Sequence, residues 1–383
     1  MGVPAIRRRL TTLCRIAFLV LAAGFTSLGQ GYRIYIGTYT HGAGKGIYTC
    51  RFDTADGHLT SPLVAAATEN PSFLAIEPGG RYLYAVNEID TFQGTTSGAV
   101  SVFSIDSLTG TLSLLQQVSS MGGSPAHISF DPSFRFVMVA NYNGGNVVVY
   151  PVGKEGRLDH YSAMVQQAGS GPNRERQSGA HAHFIQTTTD GGTALAADLG
   201  ADKIFVYTFD QLKGLLHSSS SLDMAAGAGP RHIAFAPNRG NAYVLNELAS
   251  SVTLLRFDAG SGKFDKDRSV STIPPEFSGM NTSAEITVDA RGTYLYASNR
   301  GDNSIVRFAI KSADGILSEP EWTPSGGSTP RYFCIDPTGK WLLAANQKSD
   351  NITVFRIDRA NGRLKATSHV VRVPSPVCIG FVK

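Results

Sequence analysis

The chain has little cysteine. Four cysteines occur in 383 residues, and one of them, Cys14, lies in an N-terminal segment unlike the rest. The other three, Cys50, Cys334 and Cys378, are an odd number and fall within apolar runs typical of strands. This sparse set excludes a disulfide framework of the kind that small secreted domains use. We therefore expect three buried free thiols.

Long apolar runs are also missing. The apolar stretch near the N-terminus extends only from Ile16 to Phe25, after an arginine triplet at 7–9 and before small residues at 26–29. A membrane helix needs about 20 apolar residues, so the pattern predicts a secretory signal peptide over residues 1–29, cleaved after Gly29. Whether export follows the general or the twin-arginine route stays open. The mature chain, residues 30–383, is expected to be exported, periplasmic or secreted, with no membrane attachment after cleavage.

The mature chain further lacks net charge. The full chain carries a formal charge of +4, and the four arginines of the predicted signal peptide account for all of it, because residues 1–29 contain no acid and no lysine. A protein without a basic surplus has no electrostatic reason to bind nucleic acid or an anionic membrane. Neither partner is expected.

Several catalytic motifs are absent as well. No Gly-x-Ser-x-Gly segment occurs, which argues against an α/β-hydrolase serine. The glycine-rich segment HGAGKG (41–46) is too short for a phosphate loop and is not set between a strand and a helix. His181 and His183 have the spacing of a metal pair, but no carboxylate cluster accompanies them. No metal and no cofactor are expected.

What the chain does contain is one phrase repeated six times, at steps of 47 to 57 residues. Each copy runs from a short apolar strand through a tight turn to a second apolar strand that ends in Asn or Asp, and a third and a fourth strand follow. The copies lie at 72–88, 126–142, 183–199, 231–247, 284–300 and 331–347. Self-similarity at this period, made only of short strands and turns, is typical of a β-propeller.

A seventh unit is divided between the two ends of the chain. Residues 32–52 match the second and third strands of the repeat, and residues 375–382 match the missing first strand. Pairing the C-terminal strand with the N-terminal strands would close the ring and remove open sheet edges. The sequence thus predicts an all-β protein, a single seven-bladed β-propeller over residues 30–383.

When the six copies are aligned with one another, two columns of equivalent positions should line one mouth of the central channel. The reason is that the innermost strand of a blade begins at the rim where its second strand ends. The residue that ends the second strand is Asn or Asp in all six copies, which indicates a structural role in hydrogen bonding to the adjoining turn. The next residue varies, and so does the sixth residue before the turn proline. These two variable columns contain Glu88, Tyr142, Leu199, Glu247, Arg300 and Gln347, with Tyr39 in the divided unit, and Ser72, Ala126, His183, Arg231, Ala284 and Arg331.

Ionisable residues that differ between blades at a shared rim have two interpretations: salt bridges that plug the channel, or a ligand site. His183, Arg231, Glu247 and Arg300 come from three consecutive blades and should converge. Arg331 lies one blade further on, and Glu88 should face it across the mouth. His127 and His232 come one residue later than this column, so strand alternation predicts side chains on the other face, with a packing or hydrogen-bonding role.

Four long segments of the chain are distinctive: GPNRERQSGAHAHF (171–184), GPRHIAFAPNRGNAYVLNEL (229–248), SAEITVDARGTYLYASNRG (283–301) and TPRYFCIDPTGKWLLAANQKSDNITVF (329–355). In this order they resemble the seven-bladed propeller lactonase family, which has the namesake activity of 6-phosphogluconolactonase and counts carboxymuconate-lactonising enzymes among its relatives. The resemblance covers residues 32–383. It implies a catalytic set of one His, two Arg and one Glu, which falls on His183, Arg231, Arg300 and Glu247.

The resemblance implies hydrolysis of a sugar-acid lactone, either 6-phosphogluconolactone or a non-phosphorylated relative that an exported enzyme would meet. His183 or Glu247 would be the general base, Arg231 would stabilise the oxyanion, and Arg300 would hold an acidic group. The expected substrate-binding residues are Arg331, Glu88, Tyr39, Gln347 and Arg176. We expect a monomer with a small-molecule lactone as partner. A carboxymuconate-type lactonising cycloisomerase and a non-catalytic binding propeller are the alternatives.

Overall fold

The structure is a computed structural model that describes residues 1–2, 31–237, 240–258, 263–311 and 314–383. The predicted signal peptide falls on residues 1–29, of which all but the first two lie outside the described residues. Within the described ranges, no helix combines the length and the apolar character that a membrane span requires.

Short strands dominate the described chain because apolar, β-branched and aromatic residues alternate between tight turns. Blades 1 and 2 consist of β1 (Gly31–Thr38), β2 (Gly46–Asp53), β3 (Leu63–Ala67), β4 (Pro71–Ile76), β5 (Tyr82–Asn87), β6 (Ala99–Ile105) and β7 (Leu112–Ser119). Blades 3 and 4 consist of β8 (Pro125–Phe130), β9 (Phe136–Asn141), β10 (Asn146–Pro151), β11 (Ala163–Gln166), β12 (Ala182–Thr187), β13 (Thr193–Asp198), β14 (Lys203–Asp210) and β15 (Leu215–Asp223).

The remaining strands follow the same plan. Blades 5 and 6 consist of β16 (Pro230–Phe235), β17 (Asn241–Asn246), β18 (Ser251–Asp258), β19 (Lys263–Ser271), β20 (Ser283–Val288), β21 (Tyr294–Asn299), β22 (Ser304–Ile310) and β23 (Leu317–Pro324). Blade 7 consists of β24 (Pro330–Ile335), β25 (Trp341–Asn346), β26 (Asn351–Ile357) and β27 (Leu364–Arg372), and β28 (Pro376–Val382) belongs to blade 1. Two 3₁₀ turns lie at Lys154–Gly156 and Gln347–Ser349.

The ring closes through blade 1, as the sequence predicts. The strand order in that sheet is β28-β1-β2-β3, and each of the other six sheets of the described chain is a four-stranded sheet of consecutive strands. Strand β28 pairs antiparallel with β1 from Arg33↔Val382 to Gly37↔Cys378. Chain start and chain end therefore hold one sheet together, and the prediction of a seven-bladed β-propeller closed by its termini is confirmed.

The core lies between neighbouring blades. One cluster joins Ile34 and Phe52 of blade 1 to Leu343 and Val354 of blade 7, and similar clusters fill the other interfaces. Buried Cys50 and Cys378 and half-buried Cys334 are free thiols in this packing. Since each sheet buries both faces against its neighbours, the ring needs no separate central core.

A tyrosine–glycine contact recurs at these interfaces. The hydroxyl of Tyr296 in blade 6 donates to the carbonyl of Gly362 in the outer turn of blade 7, at 2.7 Å. Equivalent bonds join Tyr84 to Gly156 and Tyr243 to Gly315. Gly362 has φ +72°, and a Cβ there would lie 2.5 Å from the Tyr294 ring. Glycine is therefore required at this turn for both its backbone conformation and its lack of a side chain.

Each innermost strand is irregular where it begins, at the rim that the variable columns occupy. In blade 4, Ala182 pairs with Asp198 and Phe184 pairs with Ala197, so His183 has no partner of its own. The same one-residue shift occurs in the innermost strands of the other six blades. A β-bulge interrupts the alternation of a strand and re-aims its side chains. The bulges therefore decide which side chains enter the channel.

Candidate active site

The end of each second strand is fixed by the buried Asn or Asp column. The amide of Asn299 donates to the carbonyl of Thr272 and to the hydroxyl of Ser304, and Asn87 donates to the Thr68 hydroxyl. Asp198 accepts from the backbone amides of His181 and Ala201, both within 2.8 Å. These bonds hold the turn that carries the next, variable residue, which confirms the structural role expected for this column.

The variable columns meet at one mouth of the channel, around a cavity of about 260 Å³. Its walls include a side chain from every blade. The lining residues are Tyr39, Glu88, Ala126, Tyr142, Arg176, His183, Glu247, Thr282, Arg300 and Arg331. Seven of the nine predicted site residues therefore line one cavity.

The other two predicted residues lie elsewhere. Arg231 does not line the cavity; its buried side chain donates to Glu247, which does line it. Gln347 begins a 3₁₀ turn beyond β25 and does not line the cavity either. Tyr142, which the sequence places in the variable column but does not select, does line it. The available signal was a second tyrosine in the column that already contained the selected Tyr39.

Glu247 is the electrostatic centre of the cavity wall. Its Oε1 accepts from Arg176 Nη2 at 2.7 Å, and its Oε2 accepts from Arg231 Nε and Arg300 Nη2, both at 2.9 Å. Burial alone would raise the pKa of this carboxyl, but the guanidinium groups of Arg300, Arg231 and Arg176 overcome that effect and lower the pKa to about 2. Glu247 therefore stays ionised at neutral pH and orients three arginines.

Glu88 is a second carboxylate, on the opposite wall of the cavity, with fewer charged partners than Glu247. Its Oε2 accepts from the Tyr39 hydroxyl at 2.8 Å and lies 3.8 Å from Arg331 Nη2. The guanidinium of Arg331 also lies over the Tyr39 ring, 5.2 Å from its centroid. The pairing of blade 2 with blade 7 across blade 1 agrees with the expectation that Glu88 faces Arg331.

His183 is a buried, uncharged imidazole beside these cations. Its side chain is 4% exposed, and its Nδ1 has no hydrogen-bond partner among the described residues. Burial first, and then the charge of Arg231, hold the pKa of His183 well below its usual range. Its ring packs edge-on to Tyr142, with 5.5 Å between the ring centroids. A neutral imidazole at a polar cavity is able to accept a proton from water.

Tyr142 is fixed in place by contacts with His181 and Arg176. The ring of His181 stacks on it at 4.4 Å between centroids, and His181 Nδ1 bonds the backbone carbonyl of Tyr142 at 2.9 Å. The Tyr142 hydroxyl accepts from Arg176 Nη2 at 3.1 Å. The loop before β12 thus reaches over the mouth and joins blade 3 to Glu247 of blade 5.

Behind the cavity a second layer of side chains fills the channel. It consists of Phe73, His127, Phe184, His232, Glu285, Tyr332 and Cys378, one residue from each innermost strand. The ring of His127 packs between Phe73 at 4.5 Å and Phe184 at 4.4 Å, and it lies 5.5 Å from the ring of His232.

The expected orientation of His127 and His232 is therefore wrong, although their expected packing and hydrogen-bonding role is found. The ring of His232 lies 5.3 Å from that of His183, and its Nε2 is 3.3 Å from Arg231 Nη1. The column of His183 and Arg231 and the column one residue later both place side chains in the channel, because a β-bulge at this point interrupts the regular alternation of the strand.

A larger cavity, of about 600 Å³, opens at the other end of the innermost strands. Threonine and apolar residues dominate its lining, and Asp131 is the one ionisable residue there among the described residues. The Asp131 carboxylate is already used by the backbone amide of Phe136 and the hydroxyl of Ser133. The described residues contain no group of three or more His, Cys, Asp and Glu side chains suited to a metal. Of the cavities at the two ends of the innermost strands, the smaller one holds the cluster of ionisable side chains.

Seven blades around a channel, with a polar and mostly cationic cavity at one mouth, define the class of this protein as a seven-bladed β-propeller. A sequence model described as "Lactonase, 7-bladed beta-propeller" matches residues 33–381. The chain belongs to this lactonase family.

Several similar proteins have names that state a lactonase activity. The chain is 37% identical over 348 residues to the 6-phosphogluconolactonase of Bacillus subtilis, a match that covers 91% of this chain and 97% of that protein. It is 34% identical over 306 residues to a 6-phosphogluconolactonase of Formosa agariphila, covering 78% and 85% of the two chains. Among solved structures, the periplasmic gluconolactonase of Pseudomonas aeruginosa is 34% identical in sequence to this chain, with a TM-score of 0.85 and coverage of 92% of this chain and 99% of that one.

Proposed function

We propose that this protein hydrolyses the lactone of a sugar acid. The observation that carries the proposal is the cavity in which a neutral, buried imidazole lies beside a carboxylate-oriented set of arginines. Lactone hydrolysis needs those two elements: a base for water and a positive group for the carbonyl oxygen. Relatives named 6-phosphogluconolactonase and gluconolactonase support the same chemistry.

His183 serves as the general base in this proposal, in preference to Glu247. Both carboxylate oxygens of Glu247 already accept from arginines, whereas Nδ1 of His183 has no hydrogen-bond partner among the described residues and is free to accept from a water. His183 takes the proton of a water whose oxygen attacks the lactone carbonyl carbon. The ring C–O bond then breaks, and the leaving alkoxide receives the proton from His183. The carboxylic acid product ionises, so each turnover releases one proton near neutral pH.

Arg300 replaces Arg231 as the proposed oxyanion donor. Arg300 lines the cavity with a side chain that is 12% exposed, whereas Arg231 is behind Glu247. Arg231 then acts by holding Glu247, and Glu247 acts by holding Arg300 and Arg176. A guanidinium fixed in advance stabilises a developing negative charge without reorganising during the reaction.

The substrate is proposed to carry an acidic group of its own or several hydroxyls. Around the cavity, Arg176, Arg231, Arg300 and Arg331 are set against Glu88 and Glu247, which leaves an excess of two positive charges. Such an excess favours an anion. Arg331 and Arg176 would hold the acidic group, while Tyr39 and Glu88 would bond hydroxyls.

Export of the mature chain, residues 30–383, belongs to the proposal as well. The pattern of residues 1–29 supports it, and so does the likeness to a periplasmic gluconolactonase. The absence of nucleic-acid and anionic-membrane partners fits the zero net charge that remains after residues 1–29 are removed. A monomer is part of the same proposal.

The test is proton release by the purified protein with 6-phosphogluconolactone and with gluconolactone. Both lactones hydrolyse without enzyme, so His183→Ala supplies the matched baseline. We expect turnover of at least one lactone and a loss of about 10²–10⁴ in kcat for His183→Ala. Faster turnover of the phosphorylated lactone would identify the acidic group as phosphate. No turnover of either, with a folded protein, would overturn the proposal and favour a binding propeller.

A further inference from the structure

A buried line of three polar side chains runs from the cavity wall into the channel. Arg231 donates from Nε to Glu247 at 2.9 Å, and its Nη1 lies 3.3 Å from His232 Nε2. On the other side of the imidazole, His232 Nδ1 lies 3.1 Å from Glu285 Oε1. The exposed fractions are 3% for Arg231, 3% for His232 and 6% for Glu285. None of the three lines the cavity.

The hydrogen bonds fix the state of His232. A guanidinium has donors only, so His232 must present the lone pair of Nε2 to Arg231. The proton of the neutral imidazole is then on Nδ1 and is donated to Glu285 Oε1. Glu285 is held in turn, because the backbone amide of Ile286 donates to the same oxygen at 2.9 Å. The line therefore has one consistent direction of donation, from Arg231 through His232 to Glu285.

Arg231 needs this support because its surroundings repel it. Burial first, and then the charges of Arg331 and Arg300, lower the pKa of Arg231 to about 9, although Glu247 partly compensates. Two further acceptors hold it: the Ala284 carbonyl and the Nε2 of His232. Without the imidazole, one edge of a buried cation would lose its partner, which is costly in a low-dielectric site.

We propose that His232 and Glu285 are positioning residues for the reaction. They fix the guanidinium of Arg231, which fixes the carboxylate of Glu247 and through it the cavity-facing Arg300. The inference rests on the proposed lactone hydrolysis for its effect on rate, but the line of hydrogen bonds exists without substrate. A displacement of about 1 Å in such a support is able to cost 10²-fold in rate.

The kinetic test uses His232→Leu, which removes the acceptor, and His232→Gln, whose amide oxygen lies as far along the side chain as Nε2. We expect His232→Leu to lower kcat about 10- to 100-fold with KM changed less than threefold, and His232→Gln to recover at least tenfold of the loss. At Glu285 we likewise expect the leucine variant to have a lower kcat than the glutamine variant. Equal activities within each pair would overturn the inference.

A double-mutant cycle separates positioning from packing. In an Arg231→Lys background the guanidinium edge that meets His232 is gone, so His232→Leu should lower kcat less than threefold further. If the loss of kcat in the double variant equals the product of the losses in the two single variants, His232 acts by packing alone, and the inference is overturned. Thermal unfolding of each variant confirms that it is folded, and the milder glutamine variants carry the test if the leucine variants are not.

A measurement without substrate completes the test. Nitrogen-15 spectra of the histidines, assigned by the loss of one signal in His232→Gln, should show His232 neutral with its proton on Nδ1. A proton on Nε2 would overturn the inference whatever the kinetics give. If the wild-type protein hydrolyses no lactone but this tautomer is found, the proposed function fails while the positioning of Arg231 stands.

Discussion

At the scale of single residues, His183 is distinguished by an imidazole that stays neutral beside several cations. Burial and the charge of Arg231 lower its pKa. A base works only when unprotonated, so activity is present above the lowered pKa and is lost as the pH falls through it. We expect kcat/KM to be level from pH 8 to about 6.5, the ordinary value for histidine, and to decline only below that.

The pH profile of kcat/KM checks this, with His127→Leu as the matched control. His127 is a buried histidine that does not line the cavity. Its substitution should leave the acid limb in place, whereas the residual activity of His183→Ala should lack it. An acid limb centred above pH 6.5 would contradict the assignment of His183 as a buried base.

Glu247 and Glu88 are two carboxylates whose different surroundings predict different costs of neutralisation. Glu247→Gln keeps the shape but leaves three arginines without their shared counter-charge. Breaking a buried ion pair costs about 3–5 kcal/mol, so the free energy of unfolding should fall by about that amount. Glu88→Gln should cost less than about 1 kcal/mol, because its side chain is 20% exposed and its arginine is 3.8 Å away.

Urea denaturation of the two variants at pH 7 measures the difference. Glu247→Gln should also lower kcat/KM by about 10²-fold or more, since Arg300 loses its orientation. Similar free energies of unfolding for both variants would show that Glu247 does not have the central electrostatic role inferred from its three contacts.

At the scale of elements, the repeat predicts the strands well and the bulges not at all. Apolar alternation and tight turns were enough to place the strands and the Asn or Asp column, because those features act within a few residues. A bulge depends on how two strands register across many bonds. Alternation alone put His232 on the face opposite Arg231, whereas the shift between Pro230 and His232 turns both into the channel.

The same limit explains the remaining differences at the site. The variable column predicted that Glu247, Arg300 and Glu88 gather at one rim, since strand ends define that rim. Which of them touches the cavity depends on side-chain packing. Arg231 withdraws behind Glu247 because His232 and the Ala284 carbonyl accept from it there. Gln347 does not line the cavity; it begins the 3₁₀ turn that follows β25.

The outer turns of the blades offer a test of how elements lock together. Gly362→Ala should lower the free energy of unfolding by about 1–2 kcal/mol for the left-handed backbone and by about 1–3 kcal/mol more for overpacking, because the new Cβ meets the Tyr294 ring at 2.5 Å. Gly339→Ala is the matched control, with φ +68° and nothing within 4 Å of the new Cβ.

Both changes lie in blade 7, so one denaturation assay compares them directly. The control should show the cost of the backbone conformation alone. If Gly362→Ala were no worse than Gly339→Ala, the contact between the outer turn of blade 7 and the tyrosines of blade 6 would have no role in holding the blades together.

At the scale of the whole molecule, the channel is where all seven blades meet, and it holds three histidines that burial keeps uncharged. Burial is the main cause of the lowered pKa in His127, His183 and His232, and nearby positive charge adds to it. The ring topology creates this environment, because each histidine comes from a different blade and reaches the channel through an innermost strand.

These histidines predict an acid-sensitive ring. Below about pH 6.5 the unfolded chain binds a proton at each of the three, and the folded protein does not. Glu285, with a burial-raised pKa of about 8, and Asp198, whose pKa burial also raises, act in the opposite direction. At pH 6.5 the unfolded histidines are only half protonated and these opposing effects nearly balance. By pH 5 the unfolded chain binds about one proton more than the folded protein, so stability should fall below about pH 6 with a slope that reaches about 1.4 kcal/mol per pH unit near pH 5.

Urea denaturation at pH 7, 6 and 5 measures this slope. His127→Leu should reduce it by about 1.4 kcal/mol per pH unit, because one of the three protons no longer differs between the states. The matched change at His160, which is exposed, should leave the slope as in the wild type. A stability that rises as the pH falls from 6.5 to 5 would mean that the channel admits charge more readily than its packing indicates, and the neutral imidazole assigned to His183 would then have to be abandoned.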